Sequence, residues 1–435
     1  MNPVHLSIRV ILSLYAGDLG HGLKMMDLFE FHTVQAQQTT CDYTDPYQGN
    51  YQAVRVGLNE LGMMDDIIAT GVAQPFAQAA ILWSECSDIW LATVGTVAAA
   101  KRSLYIALRH AGIPIDIVID SDIEKGALNH FSAMYVVDPL VTESAMNLMA
   151  QWTRSGGQLV LTAGAAQLNE TNQTSQAAAT LLDGVTQTGL YTGRRFSRWN
   201  ASITFIKEDL PWAETLDHAT PTAAGTPGQP LHVLGQKAIL ELDKNKADHA
   251  VLAQFDDGSP AELSFKRGAG SVLLLAYHPG FSYFSGALPR RPSDRNAHPD
   301  AFTNLIPTNF STRARDVLAA PLKGVHGAVP VRCSEPLVEA SLVISAGQGA
   351  AVITLINWAQ KIDRADARPS LRVTVELTVE LGFTAKAATL ASCGLLGMSQ
   401  CSPEGSRLNA TGGTGAGGMR SFSVDLAIAD AIILR

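Results

Sequence analysis

Catalysis by a covalent thiol nucleophile needs a cysteine of lowered pKa where a strand turns into a helix, a histidine beside it, and a carboxylate that orients the histidine. One histidine of this chain stands in a suitable place. His278 closes the apolar run GSVLLLAYHPG and is followed by Pro279. The nucleophile is missing. The elbow expected at LTAGA carries Thr162 and Gly164 but no cysteine. Cys86 lies in a different turn, after the first apolar strand of the sheet region, and cannot take the role by simple substitution. A lone histidine at a strand end is expected to be structural.

A second polar pair occurs near the front. In DLFEFH the alternation puts Glu30 and His32 on one face of a strand, opposite Phe29 and Phe31. Such a pair can meet a substrate at a strand end, or it can face solvent or form a structural ion pair. The structural role is the favoured expectation, and Glu30 and His32 are the substrate-binding candidates. No catalytic residue is expected. GTVAAAKRS lacks the second glycine of a phosphate loop, and GGTGAGG precedes a strand rather than a helix. The five cysteines (Cys41, Cys86, Cys333, Cys393, Cys401) contain no CxxC pair. No zinc or other metal site and no cofactor are therefore expected. Cys393 and Cys401 could close a small loop in an oxidising compartment, but reduced thiols are the expectation.

The elements that would position these residues are clearest from Ser103 to Gly164. SLYIALRH reads as a helix, HAGIP as a tight link, IPIDIVID as a strand and SDIEKGAL as a charged turn. AMYVVDP is a short buried strand, TESAMNLMAQWTRSGG an amphipathic helix and QLVLTAGA another strand. This alternation of helix and strand periods predicts a parallel, doubly wound sheet. AQAAILWS supplies a strand before it. AVLAQFDDG, SPAELSFKRG and GSVLLLAYHPG supply strands after a long polar stretch that begins at QLNETNQTSQAAAT and reads as loop with short strands. From Val325 the pattern becomes β throughout, in LVEASLVIS, AAVITLINW, LRVTVELTV, SFSVDLAIA and AIILR, which predicts an all-β sandwich.

The chain of 435 residues is long enough for two or three cores. Its 46% hydrophobic and 17% charged content is that of a folded protein, and its net charge of −8 with no basic run argues against a nucleic-acid surface. No apolar run reaches the roughly 20 residues of a membrane span. MNPVHLSIRVILSLY is split by Arg9 and lacks a cleavage site, so a packed amphipathic helix is expected rather than a signal peptide. Five glycosylation sequons, at Asn169, Asn172, Asn200, Asn309 and Asn409, hint at a secretory route without assigning a compartment.

IVIDSDIEKGAL, AMYVVDPLVTESA, SGGQLVLTAGA, DGSPA with GAG, and the closing β region together resemble the C-terminal parts of family 42 glycoside hydrolases. These are beta-galactosidases built from a TIM barrel, a glutamine-amidotransferase-like trimerisation domain and a small β-sandwich. DLFEFH followed by LGMMDDIIATG resembles the last barrel strand, its helix and the exit from the barrel. The resemblance implies an α/β fold: a flavodoxin-like (class I glutamine-amidotransferase-like) domain followed by an all-β sandwich, with a short N-terminal TIM-barrel remnant. The implied parts are 1–75, the remnant; 76–324, the α/β domain with an insertion near 166–248; and 325–435, the sandwich. His278 and Pro279 would match the amidotransferase His-Pro-Glu, with Gly280 in place of the acid.

The family's two catalytic glutamates follow the fourth and seventh barrel strands, and neither position exists here. Asp18, Asp27, Glu30, Asp42 and Asp45 cannot be assumed to replace a pair that must stand about 5–5.5 Å apart. The family's galactose-contacting Glu and His also have no clear match in TVQAQQTTCDYTD. The expected function is therefore a non-catalytic portion of a beta-galactosidase-like glycoside hydrolase, acting as scaffold and oligomerisation module. The alternative is a truncated or separately encoded fragment that retains glycan binding or hydrolysis. A homo-oligomer, a trimer by resemblance, is the expected assembly. Carbohydrate is the possible ligand, and neither nucleic acid nor membrane is an expected partner. Sugar binding by the sandwich would rest on Trp358, for which a core role is expected.

Overall fold

The computed structural model describes residues 17–24, 57–73, 77–91, 95–193, 215–243, 249–286, 310–358, 371–391, 406–408, 410–411, 420–426 and 429–435. The chain divides into two compact units, one of residues 77–328 and one of residues 1–76 with 329–435. The fold is mixed α/β with large sheets.

The 77–328 unit is organised on a nine-stranded sheet. In spatial order its strands are Ile115–Val118, Ala79–Leu82, Ala133–Val136, Gln158–Leu161, Gly270–Leu275, Pro260–Arg267, Ala250–Gln254, Thr215–Pro221 and Leu231–Leu234. The first five run parallel and the remainder antiparallel. The sequence explains the difference. Ala79–Leu82 and Ala133–Val136 are four-residue runs buried at every position, as strands covered on both faces must be.

Gly95–His110 lies in the crossover between the first two parallel strands and Glu143–Arg154 in a later one. Thr142 starts the second of these helices, its Oγ1 accepting from Ala145 N at 3.1 Å. The polar stretch after Gly164 is more ordered than its composition suggests. Ser175 Oγ accepts from Ala177 N and Ala178 N and starts a helix over Gln176–Leu182, and Val185–Thr192 pairs with Gln236–Leu242. A run of alanines after a capping serine is a short helix that low complexity obscures.

The other unit contains a six-stranded and a four-stranded antiparallel sheet with an apolar core formed by both. Ala340, Leu342, Ile353, Leu355 and Ile432 come from the first sheet, and Val373, Val375, Phe422 and Val424 from the second. Leu371–Leu377 alternates between buried and more open positions. By contrast, Val338–Ser345 and Ala350–Asn357 are buried at all eight positions. Their second face is covered by the N-terminal segment, where Leu19, Met64, Ile67 and Ile68 pack on Val343, Val352 and Ile433. Glu339 on that face is held by His21 Nε2 at 2.6 Å and Trp358 Nε1 at 3.0 Å, so the Trp358 ring is tied to a buried carboxylate. Among the described residues no helix is long and apolar enough to cross a membrane.

Candidate functional site

In an open parallel sheet the crevice for a ligand lies beyond the carboxyl ends of the strands, where the strand order reverses. Here that point falls between Ala79–Leu82 and Ala133–Val136, and the residues at its mouth are Ser84 and Asp138. Chain groups occupy it. Lys101, from the Gly95–His110 helix, places Nζ 2.9 Å from Asp138 Oδ1, with both side chains at most 1% exposed. Ser84 N donates to Asp138 Oδ2 at 3.1 Å. Burial raises the Asp138 carboxyl to about 6, against the pull of the Lys101 ammonium. The ammonium also lies 3.9 Å over the Trp83 ring and 3.5 Å from Asp88 Oδ1.

Asp120 ties the neighbouring loops together. Its Oδ2 accepts from Glu85 N at 3.2 Å and its Oδ1 from Thr142 N at 3.1 Å. Cys86 stands among these groups. Burial and then the Asp120 carboxylate push its thiol pKa up, the opposite of what activates a nucleophile.

The second place where chemistry could be held is the ends of Gln158–Leu161 and Gly270–Leu275. Thr162 occupies the elbow with its Oγ1 buried and without a hydrogen-bond partner. The turn continues through Gly164 at φ +79° and Ala166 at φ +51°. Ala163 N reaches Tyr277 O at 3.4 Å, which sets the elbow beside the strand end bearing His278.

His278 is fully buried, and desolvation lowers its pKa to about 4, so the imidazole is neutral. Its Nε2 contacts Gln236 Oε1 at 2.8 Å, an acceptor that fixes the proton on Nε2, and Nδ1 has no partner. Pro279 opens the short helix Pro279–Phe284. Gly280 faces the Gly95–His110 helix so closely that a Cβ there would stand 2.6 Å from Leu104 N. The backbone of one helix fills the space in which an orienting acid would need a side chain.

The sequence puts Thr162 at one strand end and His278, followed by Pro279 and Gly280, at another, and the structure brings the two ends together. Glu30 and His32 lie outside the described residues, as do Cys41, Cys393 and Cys401. Lys101 and Asp138 were missed as a pair. The aspartate directly after the buried run AMYVV was the available signal, since an acid there points into the crevice region of a parallel sheet. Nothing local marks Lys101, a lysine inside an ordinary helix. A further buried set has no local signal in the sequence: Glu262 Oε1 accepts from Tyr277 Oη at 2.7 Å and from Arg313 Nη2 at 2.9 Å.

No family model and no curated protein sequence matches the chain. Solved structures do. A catalytic mutant of Gan42B, a GH42 beta-galactosidase from G. stearothermophilus, matches with TM-score 0.52 and 12% identity, covering 89% of this chain and 44% of the other. The beta-galactosidase from Bacillus circulans sp. alkalophilus gives TM-score 0.53 and 12% identity, over 89% and 45%. Alpha-L-fucosidase isoenzyme 2 from Paenibacillus thiaminolyticus gives 0.56 and 14%, over 100% of this chain and 57% of the other. The fold is one carried by glycoside hydrolases. This chain spans less than half the length of the two galactosidases.

Proposed function

We propose that this chain is a non-catalytic part of a beta-galactosidase-like glycoside hydrolase, acting as a scaffold and self-association module. The observation that carries the reading is the filled pair of chemical positions in the 77–328 unit. Lys101 and Asp138 neutralise each other inside the strand-end crevice, and Leu104 stands where an acid at position 280 would need room. The parallel strand order supports a flavodoxin-like, class I glutamine-amidotransferase-like domain whose chemistry has been replaced by packing. Residues 1–75 are read as the last β/α unit of a TIM barrel, with Glu30 and His32 as its only substrate-side candidates.

Exposed apolar side chains on the α/β unit support self-association: Ile89 is 78% exposed, Trp90 52% and Ile117 50%. Light scattering on the purified chain at high concentration is expected to give a trimer, and a clean monomer overturns the self-association role. A panel of nitrophenyl galactosides, glucosides and fucosides is expected to show no turnover. Hydrolysis by the isolated chain would refute the non-catalytic reading.

A further inference from the structure

At the edge of the nine-stranded sheet away from the crevice, Thr215–Pro221 pairs antiparallel with Leu231–Leu234, and the register sets His218 directly opposite His232. Ala219, Leu231 and Val233 beside them are buried, so the alternation of the strands turns both imidazoles to the opposite, open face. Their ring centres are 5.1 Å apart with planes at 59°. His218 Nδ1 lies 2.9 Å from Asp256 Oδ2. A carboxylate only accepts, so the proton sits on Nδ1 and the Nε2 lone pair is left outward. His232 Nδ1 lies 3.4 Å from Thr215 Oγ1, and in the tautomer in which that hydroxyl accepts, the Nε2 lone pair of His232 is open as well.

The surroundings favour a cation. Asp217, Asp256 and Asp257 outnumber Lys237, whose Nζ spans Asp217 Oδ2 at 2.6 Å and Asp257 Oδ2 at 3.2 Å. Donor atoms of Asp217, His218 and Asp256 lie within 4.8 Å of one another. Three of the roughly four acceptor positions of Asp217 are taken, since its Oδ1 also accepts from His218 N and Asp256 N. Its main contribution is charge.

We infer that His218 and His232 form a bidentate surface site for a divalent transition metal of the zinc, nickel or copper type, with Asp256 orienting His218. Metal–nitrogen bonds of about 2.0–2.1 Å place the ring centres of two imidazoles on a tetrahedral ion roughly 5 Å apart, close to the spacing here. Imidazole donors select these ions over magnesium and calcium. A histidine that gives its other N–H to a carboxylate is the usual outer-shell arrangement of a metal ligand. The site is invisible to sequence spacing because strand register alone makes it.

Calorimetric titration of the full chain with zinc chloride, and electron paramagnetic resonance with copper(II), test the site. Expected are one zinc equivalent whose affinity drops at least tenfold in His218→Ala and again in His232→Ala, and a two-nitrogen copper signature lost in both. Asp256→Asn, which keeps both ligands, is expected to weaken zinc binding by about 10- to 100-fold. Both rings are on the surface, so the variants keep the parent's circular dichroism. Zinc affinity equal in the double histidine variant and the parent overturns the site, as does absence of zinc binding by the parent.

Discussion

Lys101 Nζ and Asp138 Oδ1 stand 2.9 Å apart with neither side chain more than 1% exposed, and the ammonium keeps a second carboxylate, Asp88 Oδ1, at 3.5 Å. Removing the sole cation beside a buried carboxylate leaves an uncompensated charge, which typically costs about 3–5 kcal/mol. Lys101→Met is expected to cost stability in that range and Asp138→Asn less, since Asp88 still faces the ammonium, while the double replacement Lys101→Met with Asp138→Leu recovers most of the loss. Urea denaturation of the three variants, read as a double-mutant cycle, checks the coupling.

Two buried groups give the pH dependence opposite signs. The Asp138 carboxyl is raised from 3.8 to about 6 in the fold, so the stability that it contributes is full below pH 3.8 and is lost as pH rises through about 6. The His278 imidazole is lowered from 6.5 to about 4, so its contribution is present above pH 6.5 and is lost as pH falls through about 4. Between pH 4 and 6 the two oppose each other in the parent. Asp138→Asn should leave a stability that rises across this window, and His278→Gln one that falls. Urea midpoints measured at half-unit intervals of pH distinguish the slopes.

Gly280 is required by contact rather than by backbone conformation. A Cβ would meet Leu104 N at 2.6 Å, and helix backbone cannot yield as a flexible side-chain tip can. Gly280→Ala is expected to lose about 1–3 kcal/mol by overpacking. Gly280→Ser should lose at least as much, and neither should alter self-association if the protein remains folded. Thermal denaturation together with light scattering reads both.

Ser175 does three things at once, accepting from Ala177 N and Ala178 N and donating to Glu143 Oε1 at 2.8 Å. Ser175→Ala is expected to cost about 1 kcal/mol, within the usual range for a lost helix cap. Ser175→Asn should recover part of it. Hydrogen exchange should show the loss concentrated in Gln176–Leu182.

Much of the α/β unit was legible because its signals are local. AMYVV is apolar without alternation, which only a strand covered on both faces can afford, and TESAMNLMAQW carries its own cap. AAVITLIN in Ala350–Asn357 lacks alternation in the same way, but the sequence does not say what covers its second face. Leu19, Met64, Ile67 and Ile68 do, a partnership between segments far apart in sequence.

His278 shows the same division within one residue. By itself the sequence determined that this histidine ends a buried strand, that Gly280 supplies no acid and that LTAGA supplies no thiol, since these are matters of residue type and order. The tertiary structure decided that the imidazole is dry, neutral and bonded to Gln236, and that Leu104 closes the place beside Gly280. It also decided that Lys101 meets Asp138 and that His218 faces His232. Solvation and strand register arise between segments distant in the chain, so no local pattern of residues encodes them.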